Sequence, residues 1–313
     1  MKKVVVGISG GVDSSVAALL LRNEGYYVIG VTFVFTDDFD VSDATQVSKA
    51  LGIEHHIIDY RNEFKTKVID KFIDDYNSGL TPNPCVLCNR FVKFDLLYQQ
   101  MIKLGADYMA TGHYARVINN RLYKSVDENK DQTYFLCNIT REQLKRVLFP
   151  LDGIDKDKVR SIATDNNLIN ANKKDSTDVC FITSNFKEYM SEQNKSKNGI
   201  VINVVTGKTI GIHDGLNHYT IGQRRGLNIG GTKDRMYVVG KDVLKNILYI
   251  ATGDDNDYLI STSCILTNVN LNNSFVETSD INDINYISEG FLSRYTYSLK
   301  TKSTGFFSKL LKA

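Results

Sequence analysis

The sequence lacks the marks of a membrane protein and of a secreted protein held by disulfides. No apolar run is long enough to span a bilayer, and an apolar β-branched run follows Lys2-Lys3 directly, so no signal peptide is expected. The five cysteines are an odd number without the regular spacing of a disulfide framework. These features favour a cytoplasmic protein with no membrane partner, whose cysteines are reactive thiols.

The chain also lacks a strong charge of either sign. A net charge of +2 over 313 residues gives no global field for nucleic acid, so RNA contacts would have to come from local patches. No internal repeat is detectable. With 42% hydrophobic and 24% charged residues, the composition is that of a soluble globular protein of two or three domains.

One glycine-rich stretch organises the chain: residues 9–15, Ser-Gly-Gly-Val-Asp-Ser-Ser. The apolar run 4–8 before it predicts a buried strand, and the run that begins at Val16 predicts a helix. Glycines between a strand and a helix let the backbone approach a phosphate, which the N–H groups of the helix terminus then face. The sequence therefore predicts an anion site here.

The P-loop pattern GxxxxGK[ST] is absent, and the loop contains no lysine, which argues against a kinase or GTPase. The order Ser-Gly-Gly-x-Asp-Ser is instead that of the pyrophosphate loop of ATP-pyrophosphatases. Such enzymes cut ATP between its α and β phosphates and place AMP on a substrate oxygen. The runs 27–35 and 53–58 predict further strands, with a helix over 41–51 between them.

This alternation predicts an α/β fold. We expect a doubly wound parallel sheet of the pyrophosphate-loop ATPase (adenine nucleotide alpha hydrolase-like) type, followed by small β domains. Residues 1–198 are predicted to form an ATP-pyrophosphatase catalytic domain and 199–255 a small central β domain. Residues 256–313 are predicted to form a C-terminal β-barrel-like domain. The polar, lysine-rich stretch 191–198 is interpreted as a linker.

Residues 81–90 hold two of the three prolines and the pair Cys85-x-x-Cys88. Such a pair is typical of half a zinc site, of a redox pair, or of a nucleophile with a neighbour. A structural zinc site needs four ligands, and no second Cys-x-x-Cys or paired histidine motif completes one. We predict a helix over 89–100 that begins beside Cys88, and its N-terminus would favour the thiolate.

Three further features leave alternatives open. Cys180 lies at the edge of a strand-like apolar run, and this position by itself indicates a buried core residue. Taken together with Cys88 and an ATP loop, Cys180 becomes a candidate second thiol. His113 follows Gly112 at a strand end, where a structural role and a ligand contact are both open. Residues 141–170 carry basic side chains that form solvated faces by default or else a phosphate-tracking patch. These side chains are Arg141, Lys145, Arg146, Lys156, Lys158 and Arg160.

Several ordered motifs carry a resemblance to a known family. They are residues 7–15, Thr81-Pro82-Asn83-Pro84 with Cys88-Asn89, Thr111-Gly112-His113-Tyr114, Lys130-Asp131-Gln132, Asp175-Ser176 with Cys180-Phe181-Ile182, and residues 219–226. With these motifs the chain resembles the tRNA-specific 2-thiouridylases (MnmA/TrmU family), which put sulfur on the wobble uridine. The resemblance covers residues 1 to about 255 well and the remainder loosely. The family's closing strands have no counterpart after Tyr295, so the C-terminal domain is expected to be truncated.

The resemblance implies a role for each matching position. Cys88 would be the nucleophile and Cys180 the carrier of a persulfide. The residues expected to bind ATP, with Mg²⁺, are Gly7, Ile8, Ser9, Gly10, Gly11, Val12, Asp13, Ser14, Phe33 and Gly112. The residues expected to contact tRNA are Asn83, Pro84 and Cys85 around the target base, and His113, Lys130, Asp131, Gln132, Arg294 and Tyr295 elsewhere.

The implied reaction is ATP-dependent formation of 2-thiouridine in the tRNAs for lysine, glutamate and glutamine. A cysteine desulfurase or a sulfur-relay protein would supply the sulfur. An iron–sulfur cluster on Cys85, Cys88 and Cys180 is a less favoured alternative to the persulfide, and no other metal site is expected. Two other hypotheses stay open: a catalytically impaired tRNA-binding paralogue, and another pyrophosphate-loop adenylating enzyme.

Overall fold

The computed structural model describes residues 1–175, 179–182, 184–193, 196–227, 229, 235–253, 256–259 and 270. Within these residues the chain forms two compact units. The first unit contains residues 1–69, 84–175 and 270, and the second contains residues 70–83 and the described residues from 179 to 259. No helix in the described part of the chain is long and apolar enough to cross a membrane. The linear division at 198 and 255 stays a prediction.

The helices, in chain order, are α1 (Val12–Asn23), α2 (Ser42–Ala50), α3 (Arg61–Phe64), α4 (Asp70–Asn77), α5 (Pro84–Cys88), α6 (Asp95–Lys103), α7 (Arg141–Leu144), α8 (Lys156–Asp165) and α9 (Phe186–Gln193). The strands are β1 (Lys3–Gly7), β2 (Tyr27–Val34), β3 (Glu54–Asp59), β4 (Tyr108–Ala110), β5 (Arg116–Ile118), β6 (Arg121–Tyr123), β7 (Val147–Leu148), β8 (Gly199–Asn203), β9 (Thr209–His213), β10 (Met236–Asp242) and β11 (Ile247–Thr252). Segments of π-helix join α3 to α4 (Lys65–Ile69) and α5 to α6 (Asn89–Phe94).

The first unit is built on a five-stranded sheet in the order β3-β2-β1-β4-β7, in which every pairing is parallel. The β-branched residues Val4, Val5 and Val6 of β1 are fully buried, as expected for a central strand covered on both faces. The chain leaves β1 toward β2 on one side and later places β4 on the other. The predicted parallel α/β sheet is confirmed, and its strand order reverses beside β1, where such folds bind ligands.

Small side chains bring α1 close to the sheet. Val16, Ala17 and Ala18 are fully buried in the same apolar core as β1, and Val159 and Ala163 of α8 join that core. Burial of these side chains stabilises the unit by about 25 cal/mol for each Å² of apolar surface removed from water. The start of α1 is therefore held firmly at the carboxyl end of β1.

The helix predicted over 89–100 begins earlier than the sequence suggested. Its first residue is Pro84, and it continues through the π-helical segment into α6. Proline suits the first helical position because its fixed φ is helical and its missing N–H needs no partner there. Cys88 therefore lies one turn inside the helix, and Cys85 lies in the first turn. The prediction that the helix starts beside Cys88 was wrong.

The second unit contains a four-stranded sheet in the order β10-β11-β8-β9. Its core is apolar, with Val201, Val238, Leu248 and Ile250 fully buried. Aromatic rings of α4 pack in the same unit: Phe72 lies 5.3 Å from Phe181 between ring centroids. The strands predicted within 199–255 are present in this sheet.

Two local predictions for the second unit need correction. The stretch 191–198, interpreted as a linker, belongs to α9 up to Gln193. Ser191 and Ser196 hydrogen-bond to the buried His218, at 3.2 and 3.1 Å, which holds the following chain against the unit. The strand-like run around Cys180 is a turn in which Phe181 is buried and Cys180 exposed.

Candidate functional site

The loop between β1 and α1 has the shape that the glycines predicted. Gly10 has φ +75°, and a Cβ on it would lie 2.9 Å from the Cβ of Asp43. The Ser9 backbone N–H donates to Ser14 Oγ at 3.2 Å. Ser14 Oγ and Ser15 Oγ both donate to the Gly11 carbonyl at 3.0 Å. These bonds hold the loop open at the helix start, whose first N–H groups have no partners within the helix.

Gly112 closes the other side of this loop. It follows β4, and a Cβ on it would lie 2.6 Å from the backbone nitrogen of Ser14. Only glycine permits this approach between two backbones. The carboxyl ends of β1 and β4 thus meet at the loop, at the point where the strand order reverses.

Residues after α8 hold the loop from behind. Asn170 is 5% exposed, and its side-chain Nδ2 donates to the Gly10 carbonyl at 3.0 Å and to Ser15 Oγ at 2.9 Å. Lys173 Nζ donates to the same carbonyl at 3.4 Å and pairs with Asp43. Sequence reasoning missed both residues, because their partners lie more than a hundred positions away and no local motif marks them.

An ion-pair cluster adjoins the first turn of α1. Lys156 Nζ lies 2.7 and 2.8 Å from the two carboxylate oxygens of Asp13 and 2.8 Å from Asp175 Oδ1. The Tyr114 hydroxyl donates to Asp13 Oδ1 at 2.8 Å. Lys156 is only 8% exposed, so its interpretation as part of a solvated basic face was wrong.

Charges in this cluster shift two pKa values. Burial opposes ionisation of Asp175, but hydrogen bonds from Lys156 and Lys130 outweigh it and lower its pKa to about 2. Burial and the charge of Asp13 raise the pKa of Tyr114, which therefore stays a hydrogen-bond donor at neutral pH. Arg160 also pairs with Asp175, at 2.7 Å, so that carboxylate stays anionic among three cations.

This geometry fits a polyphosphate. Serine hydroxyls and the free N–H groups of a helix terminus are the donors that commonly bind phosphates in proteins. Glycines beside them let the backbone approach the phosphate closely. Phe33, also expected near ATP, is the penultimate residue of β2 and is 7% exposed, packed against Tyr60 at 5.4 Å between ring centroids.

The cysteine segment begins at the N-terminus of α5. Pro84 is buried, Cys85 is partly buried, and Cys88 is 5% exposed. Burial and the charge of Cys85 raise the pKa of Tyr134. The next residue, Phe135, accepts a hydrogen bond at its carbonyl from Asn89 Nδ2 at 3.2 Å. The structure therefore places the start of α5 beside the aromatic stretch that follows residue 132.

The three residues before that stretch already have partners. Gln132 Oε1 accepts from the Tyr114 backbone N–H at 3.0 Å, and Asp131 Oδ1 accepts from the Ser125 N–H at 2.8 Å. Lys130 pairs with Asp175 at 2.9 Å. These bonds tie residues 131 and 132 to the chain that follows β4 and tie Lys130 to the segment after α8. Any RNA contact at residues 130–132 would therefore involve side chains that already have partners within the protein.

His113 is held as a neutral ring. Burial, with a smaller contribution from Lys93, lowers its pKa to about 3. Its Nδ1 lies 2.8 Å from Thr111 Oγ1, and its ring lies 5.7 Å from that of Phe94. The structure gives His113 these packing partners, and its expected contact with tRNA stays a prediction.

The two cysteines expected to act together belong to different units. Cys88 lies in the first unit, and Cys180 is exposed in the second. Within the described ranges no group of three or more His, Cys, Asp or Glu side chains is arranged to hold a metal ion. Arg294 and Tyr295 lie outside the described residues.

Two family models match the chain. A model described as "tRNA methyl transferase HUP domain" matches residues 2–184, and one described as "tRNA methyl transferase PRC-barrel domain" matches residues 187–252. A solved 4-thiouridine synthetase bound to RNA and ATP is 20% identical, with 61% of this chain and 50% of that chain covered and a TM-score of 0.40.

Curated relatives match far more closely. The tRNA-specific 2-thiouridylase MnmA of Mycoplasmopsis synoviae is 43% identical over 87% of this chain and 78% of its own length. The MnmA of Bacillus licheniformis is 46% identical over 85% of this chain and 76% of its own length. On these matches, the chain belongs to the MnmA family of tRNA-specific 2-thiouridylases.

Proposed function

We propose that this protein uses ATP to activate the wobble uridine of tRNA and replaces its 2-oxygen with sulfur from a cysteine persulfide. The observation that carries the ATP part is the open serine–glycine loop at the point where the strand order reverses, closed by Gly112. Membership of the 2-thiouridylase family supports the substrate. The proposed substrates are the tRNAs for lysine, glutamate and glutamine in the cytoplasm.

The chemistry needs both an activating and a sulfur-bearing group. The 2-carbonyl of uracil is a poor electrophile, so ATP supplies AMP, which converts the oxygen into a leaving group as pyrophosphate departs. The loop would hold the phosphates, and a Mg²⁺ ion bound with ATP would neutralise part of their charge. The residues proposed for this are those of 7–14 with Phe33 and Gly112.

Sulfur transfer then uses two thiols. The terminal sulfur of a Cys180 persulfide attacks C2, AMP leaves, and the base is joined to Cys180 through a disulfide. The Cys88 thiolate attacks the Cys180 sulfur, which forms a Cys88–Cys180 disulfide and releases 2-thiouridine. A thiol reductant must reduce that disulfide, and a desulfurase or sulfur-relay protein must rebuild the persulfide. The exposure of Cys180 supports its role as the residue that a donor protein loads.

The target base has to leave its stack to reach these groups. We propose that Asn83, Pro84 and Cys85 line the flipped base, because Pro84 fixes the start of α5. Further tRNA contacts are proposed for four residues of the first unit and for two residues outside the described part of the chain. These are His113, Lys130, Asp131, Gln132, Arg294 and Tyr295.

The test is a thiolation assay with the full chain. Purified protein, ATP, magnesium, a desulfurase with cysteine and unmodified lysine tRNA are combined, and 2-thiouridine is sought in the digested tRNA by mass spectrometry. We expect ATP-dependent product with the wild type, none with Cys88→Ser or Cys180→Ser, and ordinary activity with Cys137→Ala. Product formed by either of the first two variants would refute the two-thiol route.

Two other results separate the remaining hypotheses. Binding of tRNA without product would favour an impaired paralogue. Iron and sulfide in anaerobically purified, active protein would favour a cluster on Cys85, Cys88 and Cys180, whereas colourless and iron-free active protein would exclude it.

A further inference from the structure

A buried lysine lies beside the loop that has no lysine of its own. Lys156 is the first residue of α8 and is 8% exposed. Its three ammonium N–H groups match three carboxylate oxygens, two on Asp13 and one on Asp175, at 2.7 to 2.8 Å. Lysines this buried are found paired with carboxylates, so the arrangement is a specific ion pair.

The position of Asp13 makes this pair important. Asp13 is the second residue of α1, so its carboxylate lies in the helical turn whose N–H groups form the anion site. In the absence of a ligand, an aspartate in the first turn stabilises the helix through the helix dipole. When a polyphosphate binds at the same terminus, however, an unpaired aspartate repels it. A cation on Asp13 removes that repulsion and leaves the N–H groups available.

We propose that Lys156 is a positioning residue for the nucleotide, which neutralises and orients the Asp13 carboxylate so that the start of α1 accepts the phosphates of ATP. The inference rests on the proposed ATP site and adds to it a residue that the loop motif does not contain. Lys156 acts here through Asp13 and does not itself contact the phosphates.

The neighbouring groups confine the effect to Asp13. Asp175 keeps Lys130 at 2.9 Å and Arg160 at 2.7 Å when Lys156 is removed. Among the described residues, Asp13 then keeps the neutral Tyr114 hydroxyl at 2.8 Å and no paired cation. Loss of Lys156 therefore leaves the Asp13 carboxylate at the loop without a paired cation, while Asp175 keeps two.

Equilibrium binding to ATP, AMP and adenosine tests the proposal, because a charge effect grows with the number of phosphates. For Lys156→Met we expect ATP binding weaker by about tenfold or more, AMP binding weakened less, and adenosine binding within about twofold of wild type. Lys158→Met is the matched control, since Lys158 lies exposed on the same helix, and it should bind all three as the wild type does. The double variant Asp13→Asn/Lys156→Met removes the unpaired carboxylate but keeps the backbone N–H at position 13, which is what the proposed ATP site takes from this residue, so it should recover most of the ATP affinity.

Three results would overturn the inference. Lys156→Met could bind ATP as the wild type does, or it could lose ATP and adenosine equally, as a structural defect would cause. Finally, the double variant could bind ATP more than about tenfold more weakly than wild type. Because the double variant leaves no unpaired carboxylate at position 13, it also tests the inference if the single variant does not fold. Wild-type protein that binds no ATP at all would instead refute the proposed function itself.

Discussion

Gly112 lies directly against the first turn of α1. A Cβ on Gly112 would lie 2.6 Å from the backbone nitrogen of Ser14 and 2.7 Å from the carbonyl carbon of Asp13. Both obstructing atoms belong to the backbone, so no side-chain rotation relieves the clash. The contact holds the exit of β4 against the proposed phosphate loop.

Replacing Gly112 with alanine should therefore damage the loop. We expect Gly112→Ala to lower the free energy of unfolding by about 1–3 kcal/mol and to weaken ATP binding, because the two backbones have to separate. Urea unfolding and equilibrium dialysis measure the two effects. Gly211→Ala is the control, since its new Cβ would have its nearest neighbour 3.6 Å away on the side chain of Ile229. Equal ATP affinity in Gly112→Ala and wild type would contradict the expectation.

Asn170 should stabilise the loop from behind. Asn170→Ala removes two hydrogen bonds and leaves the buried Gly10 carbonyl with a weaker set of donors, so we expect a loss of about 1–3 kcal/mol and poorer ATP binding. Asn172→Ala, at an exposed position two residues away, should change neither. Unfolding curves and binding isotherms of both variants decide the point. If Asn170→Ala is as stable as the control, these two hydrogen bonds make no net contribution to the free energy of unfolding.

His113 predicts a pH effect on stability. Its pKa is lowered to about 3 in the folded chain, against 6.5 for an ordinary histidine. The unfolded state therefore binds more protons below pH 6.5, and the stability that the neutral ring contributes is lost as pH falls toward the folded pKa. Between pH 7.5 and 5.5 the wild type should lose about 1 kcal/mol relative to His113→Gln. Urea titrations at both pH values measure this, and an unchanged difference would be evidence against a neutral His113 ring in the folded chain.

Lys241 predicts a stabilising substitution in the second unit. Burial lowers its pKa to about 8, and its Nζ has no hydrogen-bond partner among the described residues, although it lies 5.8 Å from the centre of the Tyr76 ring. Lys241→Met should raise the free energy of unfolding at pH 7 by about 1 kcal/mol or more, because a buried unpaired charge is lost.

The same substitution has a pH signature. The wild type gains stability as pH rises from about 8, where folded Lys241 loses its proton, toward 10.5, where the unfolded lysine does. The advantage of Lys241→Met should therefore shrink between pH 8 and pH 10. Thermal unfolding at three pH values checks this, and a destabilised variant at pH 7 would mean that the ammonium has a stabilising contact.

Much of the first unit was predictable because its signals are local. Three features depend only on neighbours in sequence: the β-branched run before residue 9, the helix after it, and Gly52 as a helix stop. Each lies within a few residues of its predicted position. The early start of the helix at Pro84 was missed because proline favours both a turn and a first helical position.

The sequence by itself determined the parallel α/β class, the position of the glycine-rich loop between β1 and α1, and the family to which the chain belongs. Those conclusions follow from residue order over short spans. Only the tertiary structure decided that Lys156 is buried against Asp13, that Asn170 holds the Gly10 carbonyl, and that Gly112 lies against Ser14. Each of those contacts joins residues about a hundred or more positions apart, and packing of the sheet and its helices brings them together without leaving a local pattern.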